Sequence, residues 1–182
     1  MTSPMLRRVS LTGPESTGKS TLAAQLAAHF GAAHVPEYAR EYLAARPGAA
    51  YTLPDLEAIA RSQLLAEEAA AALQTAAPGR QLLLCDTDLL VIKVWAEHAF
   101  GHCPAWIIEE LRRPRYALTL LLNVDLPWQP DPLREHPHLR AHFMEVYRQE
   151  LRALAWPVVE ISGSGRQRLV RAIAAVGAVL GD

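Results

Sequence analysis

The stretch "GPESTGKST", residues 13–21, constrains the fold more than any other part of the chain. Gly13, Gly18, Lys19 and Ser20 fit the pattern G-x-x-x-x-G-K-[ST], a phosphate loop in which backbone N–H groups surround a polyphosphate. The mechanism requires a strand before the loop and a helix after it. Both are legible: Arg8–Leu11 is a short apolar run, and Leu22, Leu26 and Phe30 recur four residues apart over 19–30. The backbone and side chains of Gly13, Pro14, Glu15, Ser16, Thr17, Gly18, Lys19, Ser20 and Thr21 are therefore expected around ATP, with Lys19 on the β- and γ-phosphates. Ser20 is expected on Mg²⁺. Glu15 is the misfit, a carboxylate facing a polyanion. It is expected to meet an acceptor hydroxyl or a Mg²⁺-bound water, or else to point to solvent.

The rest of the chain alternates strand and helix. "AAHVPEYARE" (32–41) reads as a second strand ending near Glu37, followed by a helical turn. Residues 55–76 read as a long helix stopped by Pro78-Gly79. "QLLLCDTD" (81–88) and "ALTLLLNVD" (117–125) are continuous apolar runs ending in acids, as strands buried on both faces are. Helices are expected near 89–100, 105–113, 139–154 and 166–180, and a fifth strand at 157–162. This alternation predicts an α/β fold, a five-stranded mostly parallel sheet flanked by helices. In such sheets ligands bind beyond the carboxyl ends of the strands. Residues 13–20, Glu37, Asp86 with Asp88, Asp125 and Gly163–Arg166 all fall there.

With 182 residues, 51% hydrophobic and 20% charged, the chain is expected to form one domain, residues 1–182, with an ample core. A net charge of -1 with dispersed Lys and Arg gives no nucleic-acid footprint. No apolar run reaches a membrane span, no signal peptide is recognisable, and Cys85 and Cys103 make no CxxC pair. A cytoplasmic protein is expected. The seven histidines have no metal-ligand spacing.

A phosphate loop alone leaves small-molecule kinase, switch GTPase and mechanical ATPase open. "NVDL" (123–126) lacks the lysine of the guanine-binding N-K-x-D. Acids at successive strand ends suit a nucleoside or nucleotide kinase, because phosphoryl transfer to an alcohol needs the hydroxyl aligned and its proton accepted. Glu37 is the candidate base, on a strand expected beside the phosphate-loop strand; capping the next helix is its structural alternative. Asp86 would hold Mg²⁺ and Asp88 a substrate's vicinal hydroxyls, unless the pair only caps the helix that follows. The Pro-rich segment 126–138 is a candidate lid carrying Arg134, and Trp128 within it could stack on a planar ring. Tyr38, Tyr42 and Trp95 are rivals for that stack. Arg140 and Arg148 are expected on a solvated helix face.

"GPESTGKST", "PEYARE", "CDTDLL" and "LLLNVDLPWQPDPLRE", in this order, resemble the ribosylnicotinamide kinase domain of NadR-type proteins, from about residue 7 to 180. That is a P-loop kinase family related to the AAA-type ATPases. The resemblance implies Mg²⁺- and ATP-dependent phosphorylation of the 5′-hydroxyl of nicotinamide riboside, giving nicotinamide mononucleotide for NAD synthesis. It also implies that the loop containing Gly165 borders the adenine. In NadR-type proteins this domain often follows an adenylyltransferase domain and sometimes a DNA-binding one; with the loop at residue 13 neither is expected here. Pro36 stands where family members can carry an aromatic before the E-Y pair, so Tyr38, Tyr42 or Trp128 would supply the stack on nicotinamide. Two alternatives stay open: a kinase for another nucleoside or small alcohol, and a non-kinase ATP- or GTP-binding regulatory protein.

Overall fold

A computed structural model describes residues 5–77, 79–131 and 133–181. Five strands, β1 (Arg7–Thr12), β2 (Ala33–Val35), β3 (Leu82–Asp86), β4 (Leu118–Leu122) and β5 (Val158–Ile161), form one sheet in the order β2-β3-β1-β4-β5. Every pairing is parallel, with Leu11 opposite Asp86 and Leu122 opposite Ile161. Helices α1 (Lys19–Phe30), α2 (Tyr38–Ala44), α3 (Leu53–Ala76), α4 (Leu89–Phe100), α5 (Ala105–Leu111), α6 (Arg140–Leu154) and α7 (Gly165–Leu180) connect and cover the strands. The expected stop of α3 at Pro78 lies outside the described residues.

The pleat sorts β3 and β4 between two layers, since successive side chains point to opposite faces. Leu82, Leu84, Leu120 and Leu122 pack with Val9 and Leu11 against Leu22 and Leu26 of α1 and Ala172 and Val176 of α7. Leu121 faces the opposite layer, where Leu56, Ile59, Leu90, Ile107, Met144 and Tyr147 meet. Both faces of the sheet are thus dry, which is why these strands lack polar alternation. Helix α3 begins two residues before its expected start, in a reciprocal capping box between Thr52 and Asp55, with Pro54 in the first turn.

The sequence expectation that strand 2 lies beside the phosphate-loop strand is corrected: β3 stands between β1 and β2. β3 is buried at all five positions and takes a central place, whereas two of the three residues of β2, Ala33 and His34, are only partly buried and suit an edge. The turn after β2 is also a full helix, α2.

Beneath the outer end of β3, α3 places Glu67 in the core at 0% exposure. Its carboxylate accepts from the Tyr116 hydroxyl at 3.0 and 3.1 Å. Burial pushes the Glu67 carboxyl up to about 7, against the opposing hydrogen bond from Tyr116. The neighbouring Glu68 receives both Arg8 (2.8 and 2.9 Å) and Arg115, which hold it low, at about 2. No helix among the described residues is long and apolar enough to cross a membrane.

Candidate active site

The phosphate loop leaves β1 in a conformation that only certain residues tolerate. Gly13 has φ 126°, and a Cβ there would sit 3.0 Å from the Leu122 carbonyl oxygen. Gly18 has φ 80° and is equally close to the Leu126 side chain. Both glycines are therefore steric requirements. The Thr17 hydroxyl ties the loop to itself through the Pro14 carbonyl at 2.8 Å. Gly18 caps α1 without any side-chain acceptor, leaving the first N–H groups of the helix directed at the loop. Lys19 Nζ donates to the carbonyls of Gly13 (2.9 Å) and Pro14 (3.0 Å), so its ammonium already stands where phosphate oxygens would replace them.

A buried arginine that sequence reading did not single out fixes this loop from behind. Arg168 of α7 is 4% exposed. It donates to the carbonyls of Thr17, Asn123 (2.8 Å) and Gly163 (2.8 Å), and lies 3.4 Å from Asp125 Oδ2. Asp125 in turn accepts from the Gly163 N–H at 2.6 Å. One guanidinium thus joins the phosphate loop to the ends of β4 and β5. Gly165, expected near the adenine, is the first residue of α7 beside this junction and outside the cavity described next.

In front of the loop lies a cavity of ≈ 180 Å³. Residues 13–21, Glu37, Arg40 and Arg134 give it a polar lining; Leu43, Val91, Val94, Trp95, His98, His136, Phe143 and Tyr147 give it an aliphatic and aromatic one. Glu37 lines the cavity in electrostatic contact with Lys19. It precedes α2 but makes no side-chain cap, so the capping alternative fails to account for it. Burial raises its pKa; Lys19 opposes that shift, Asp86 adds to it, and the nearby Arg40 and the Thr87 hydroxyl lower it. Asp86 itself is 2% exposed, and its Oδ1 has no hydrogen-bond partner. A buried orphan carboxylate oxygen near the exposed Ser20 hydroxyl's loop is the donor set expected of Mg²⁺, a hard cation that keeps waters and phosphate oxygens as its other ligands. No cluster of three His, Cys, Asp or Glu side chains that could hold a metal by itself exists among the described residues. Between Asp86 and Asp88, Thr87 is buried at φ 84°, a strained conformation for a β-branched residue.

Several expected contacts lie elsewhere. Asp88 is 0% exposed and accepts from Thr12 (3.1 Å), Leu90 N–H (3.1 Å) and Val91 N–H (3.3 Å). It caps α4 rather than facing the cavity, because α4 starts immediately after it. Burial raises its pKa to about 6. Tyr42 donates to Asp55 at 2.6 Å and lies under Arg46, so it joins α2 to the start of α3. Tyr38 packs 6.3 Å from the Tyr42 ring, also outside the cavity lining. Trp128 is covered by Arg140, whose guanidinium lies 5.7 Å from its centroid. Arg140 is not solvated as expected: it donates to the carbonyls of Leu126 (3.0 Å) and Ser16 (3.3 Å). Arg148 does face outward, in an ion pair with Glu160 at 2.8 Å.

The aromatic lining of the cavity comes instead from α4 and α6. Trp95 meets Tyr51 edge-on at 4.9 Å, and Phe143 meets His98 at 4.9 Å. Val91, Val94, Trp95 and His98 fall three and four residues apart, a spacing indistinguishable in sequence from a core stripe. The candidate lid segment borders the same cavity. Leu133, Arg134, Glu135 and His136 line the cavity, and Arg134 donates to the Gln129 carbonyl at 2.6 Å. Pro132, within the expected lid, lies outside the described residues. Glu15 accepts from the N–H groups of Glu135 (3.2 Å) and His136 (3.3 Å) through one oxygen.

Comparison with known proteins agrees with the fold. The chain is similar to NadR protein solved in complex with NAD and AMP-PNP, at 25% identity and TM-score 0.76, over 98% of this chain and 50% of that one. It is similar to NadR protein in complex with NR, at 24% identity and TM-score 0.78, over 98% and 52%. The chain thus spans about half the length of these NadR chains. The fold also matches thymidylate kinase from Ehrlichia chaffeensis, at 13% identity and TM-score 0.64, over 95% of this chain and 100% of that one. A search of curated proteins finds no match. The sequence profile of the AAA domain family matches residues 8–168, nearly the whole fold, and the chain belongs to that family.

Proposed function

We propose that this protein is a Mg²⁺- and ATP-dependent kinase that phosphorylates the 5′-hydroxyl of a nucleoside, with nicotinamide riboside as the acceptor. The observation that carries this reading is the cavity itself: a phosphate loop and the uncapped carboxylate of Glu37 share one space with an aromatic wall. Similarity at 25% identity to NadR protein, solved with NAD and AMP-PNP, supports the same assignment.

In this reading residues 13–21 hold the triphosphate by backbone N–H groups, and Lys19 exchanges two carbonyl oxygens for phosphate oxygens. Ser20 and Asp86 would hold Mg²⁺, which when bound neutralises charge on the phosphates. Glu37 orients the acceptor hydroxyl and takes its proton; burial beside Asp86 keeps this carboxyl a stronger base than an exposed one. Arg40 and Arg134 bring positive charge to the same cavity. In this reading Trp95 and Phe143, which line the cavity, would meet the acceptor's base, rather than Tyr38, Tyr42 or Trp128, which do not line it.

The test is transfer of γ-phosphate to a panel containing nicotinamide riboside, the common ribonucleosides and deoxyribonucleosides, and glycerol. Preferential product from nicotinamide riboside is expected. Preference for another nucleoside would reassign the acceptor. ATP hydrolysis unaffected by every acceptor would make the protein a regulatory ATPase.

A further inference from the structure

Polar contacts join the described residues of segment 129–140 to their surroundings, and those made by the phosphate loop share a design. Ser16 Oγ accepts from the Gln129 N–H at 2.9 Å, and the Ser16 carbonyl accepts from Arg140 at 3.3 Å. Glu15 Oε2 accepts from two successive N–H groups, those of Glu135 and His136. At the far side Tyr51 donates to Glu135 Oε2 at 2.8 Å, and Arg40 pairs with Asp131 at 3.1 Å. Arg134 closes the segment onto the Gln129 carbonyl and stands 3.5 Å from Ser16 Oγ. The side chains of Glu15 and Ser16, whose backbone belongs to the phosphate loop, are thus turned away from it and spent on the lid.

We propose that Glu15 is a positioning residue whose carboxylate clasps residues 135–136 of the lid to the phosphate loop, and so sets affinity for the acceptor rather than for ATP. The inference rests on the kinase reading of the cavity for the word acceptor, but not for the clasp itself. Two convergent backbone N–H groups form a small anion-binding concavity, the chemistry a carboxylate satisfies. Occupying it also disposes of the puzzle that a carboxylate beside a triphosphate poses, because its charge is directed at lid donors. The clasp has a second consequence. His136, one of the two residues clasped, stands 4.5 Å from His98 and 5.7 Å from Phe143 in the far wall. A lid released at residues 135–136 would withdraw part of the acceptor wall while leaving the loop's own backbone, Lys19 and Ser20 in place.

Backbone hydrogen exchange in the ligand-free protein, compared between wild type, Glu15→Ala and Glu15→Gln, tests the clasp without any assumption about activity. Faster exchange over 133–139 is expected in Glu15→Ala, with the interior of α6 (143–151) unchanged. Glu15→Gln keeps one acceptor oxygen and should fall between, which also covers the case that the alanine variant fails to fold. Steady-state phosphate transfer then separates positioning from general damage. Acceptor KM should rise about five- to tenfold in Glu15→Ala while ATP KM stays within about twofold. Unchanged lid exchange in Glu15→Ala overturns the proposal, as does an ATP KM that moves as much as the acceptor KM. If wild type phosphorylates no acceptor, the kinase reading falls, and the clasp stands or falls on the exchange arm alone.

Discussion

Replacing Glu67 by glutamine should stabilise the fold, and by an amount that depends on pH. Glu67 is wholly buried, with the Tyr116 hydroxyl as its only hydrogen-bond partner among the described residues, and its carboxyl sits at about 7 against an ordinary 4.5. Below pH 4.5 the group is protonated in both the folded and unfolded chain and costs nothing. Between 4.5 and 7 the folded state binds the extra proton, so stability falls as pH rises, and the loss is complete above 7. That gap corresponds to about 3 kcal/mol as an upper figure. Glutamine has nearly the same shape, can accept from the Tyr116 hydroxyl, and carries no charge to desolvate. Urea unfolding of both proteins, followed by tryptophan fluorescence at pH 5 and pH 8, measures the effect. The variant's advantage should be small at pH 5 and larger by about 2–3 kcal/mol at pH 8. Asp88, raised to about 6, repels the Glu67 carboxylate, so the difference includes relief of that repulsion, which has the same sign. An advantage that does not change with pH would refute the reasoning.

Three further outcomes are expected. Glu37→Gln should lower kcat by about 10²–10⁴ with little change in acceptor KM, measured by phosphate transfer at saturating ATP. Trp95→Ala should raise acceptor KM about tenfold through lost ring contact and leave ATP KM in place. Arg168→Met leaves the Thr17, Asn123 and Gly163 carbonyls without their donor, so it should lower stability by about 2–4 kcal/mol and raise ATP KM, seen in melting and in nucleotide titration.

The parallel sheet was readable because its evidence is local. "LLLCD" and "LTLLL" are buried at every position, and a strand of that kind has few other destinations. The phosphate loop was readable from a local motif whose glycines have positive φ, although the atoms that crowd them, on Leu122 and Leu126, lie far along the chain. Strand order was not, since β3 reaches its place between β1 and β2 through packing across the whole layer. Of the far wall, Trp95 was legible only as one of several stacking candidates, and His98 and Phe143 were not singled out. Trp95 and His98 sit on a stripe that also supplies core, and only the tertiary position of α6 decides which members face a cavity. Asp88 shows the converse: an acid beyond a strand looks functional until the helix it caps is seen to begin on the next residue. Arg168 gave no sequence signal, because an arginine on an amphipathic helix ordinarily faces water.

The Arg168 junction also has a temporal side. The phosphate loop is made well before α7, yet a donor in α7, 151 residues after Thr17, holds the Thr17 carbonyl. During synthesis β1, α1, β3 and α4 can assemble while that carbonyl still lacks its partner. The nucleotide site would therefore acquire its final shape only once α7 has left the ribosome and docked. A nascent chain stalled before α7 should carry the recognisable loop but bind nucleotide poorly, which makes nucleotide retention a late checkpoint of folding rather than an early one.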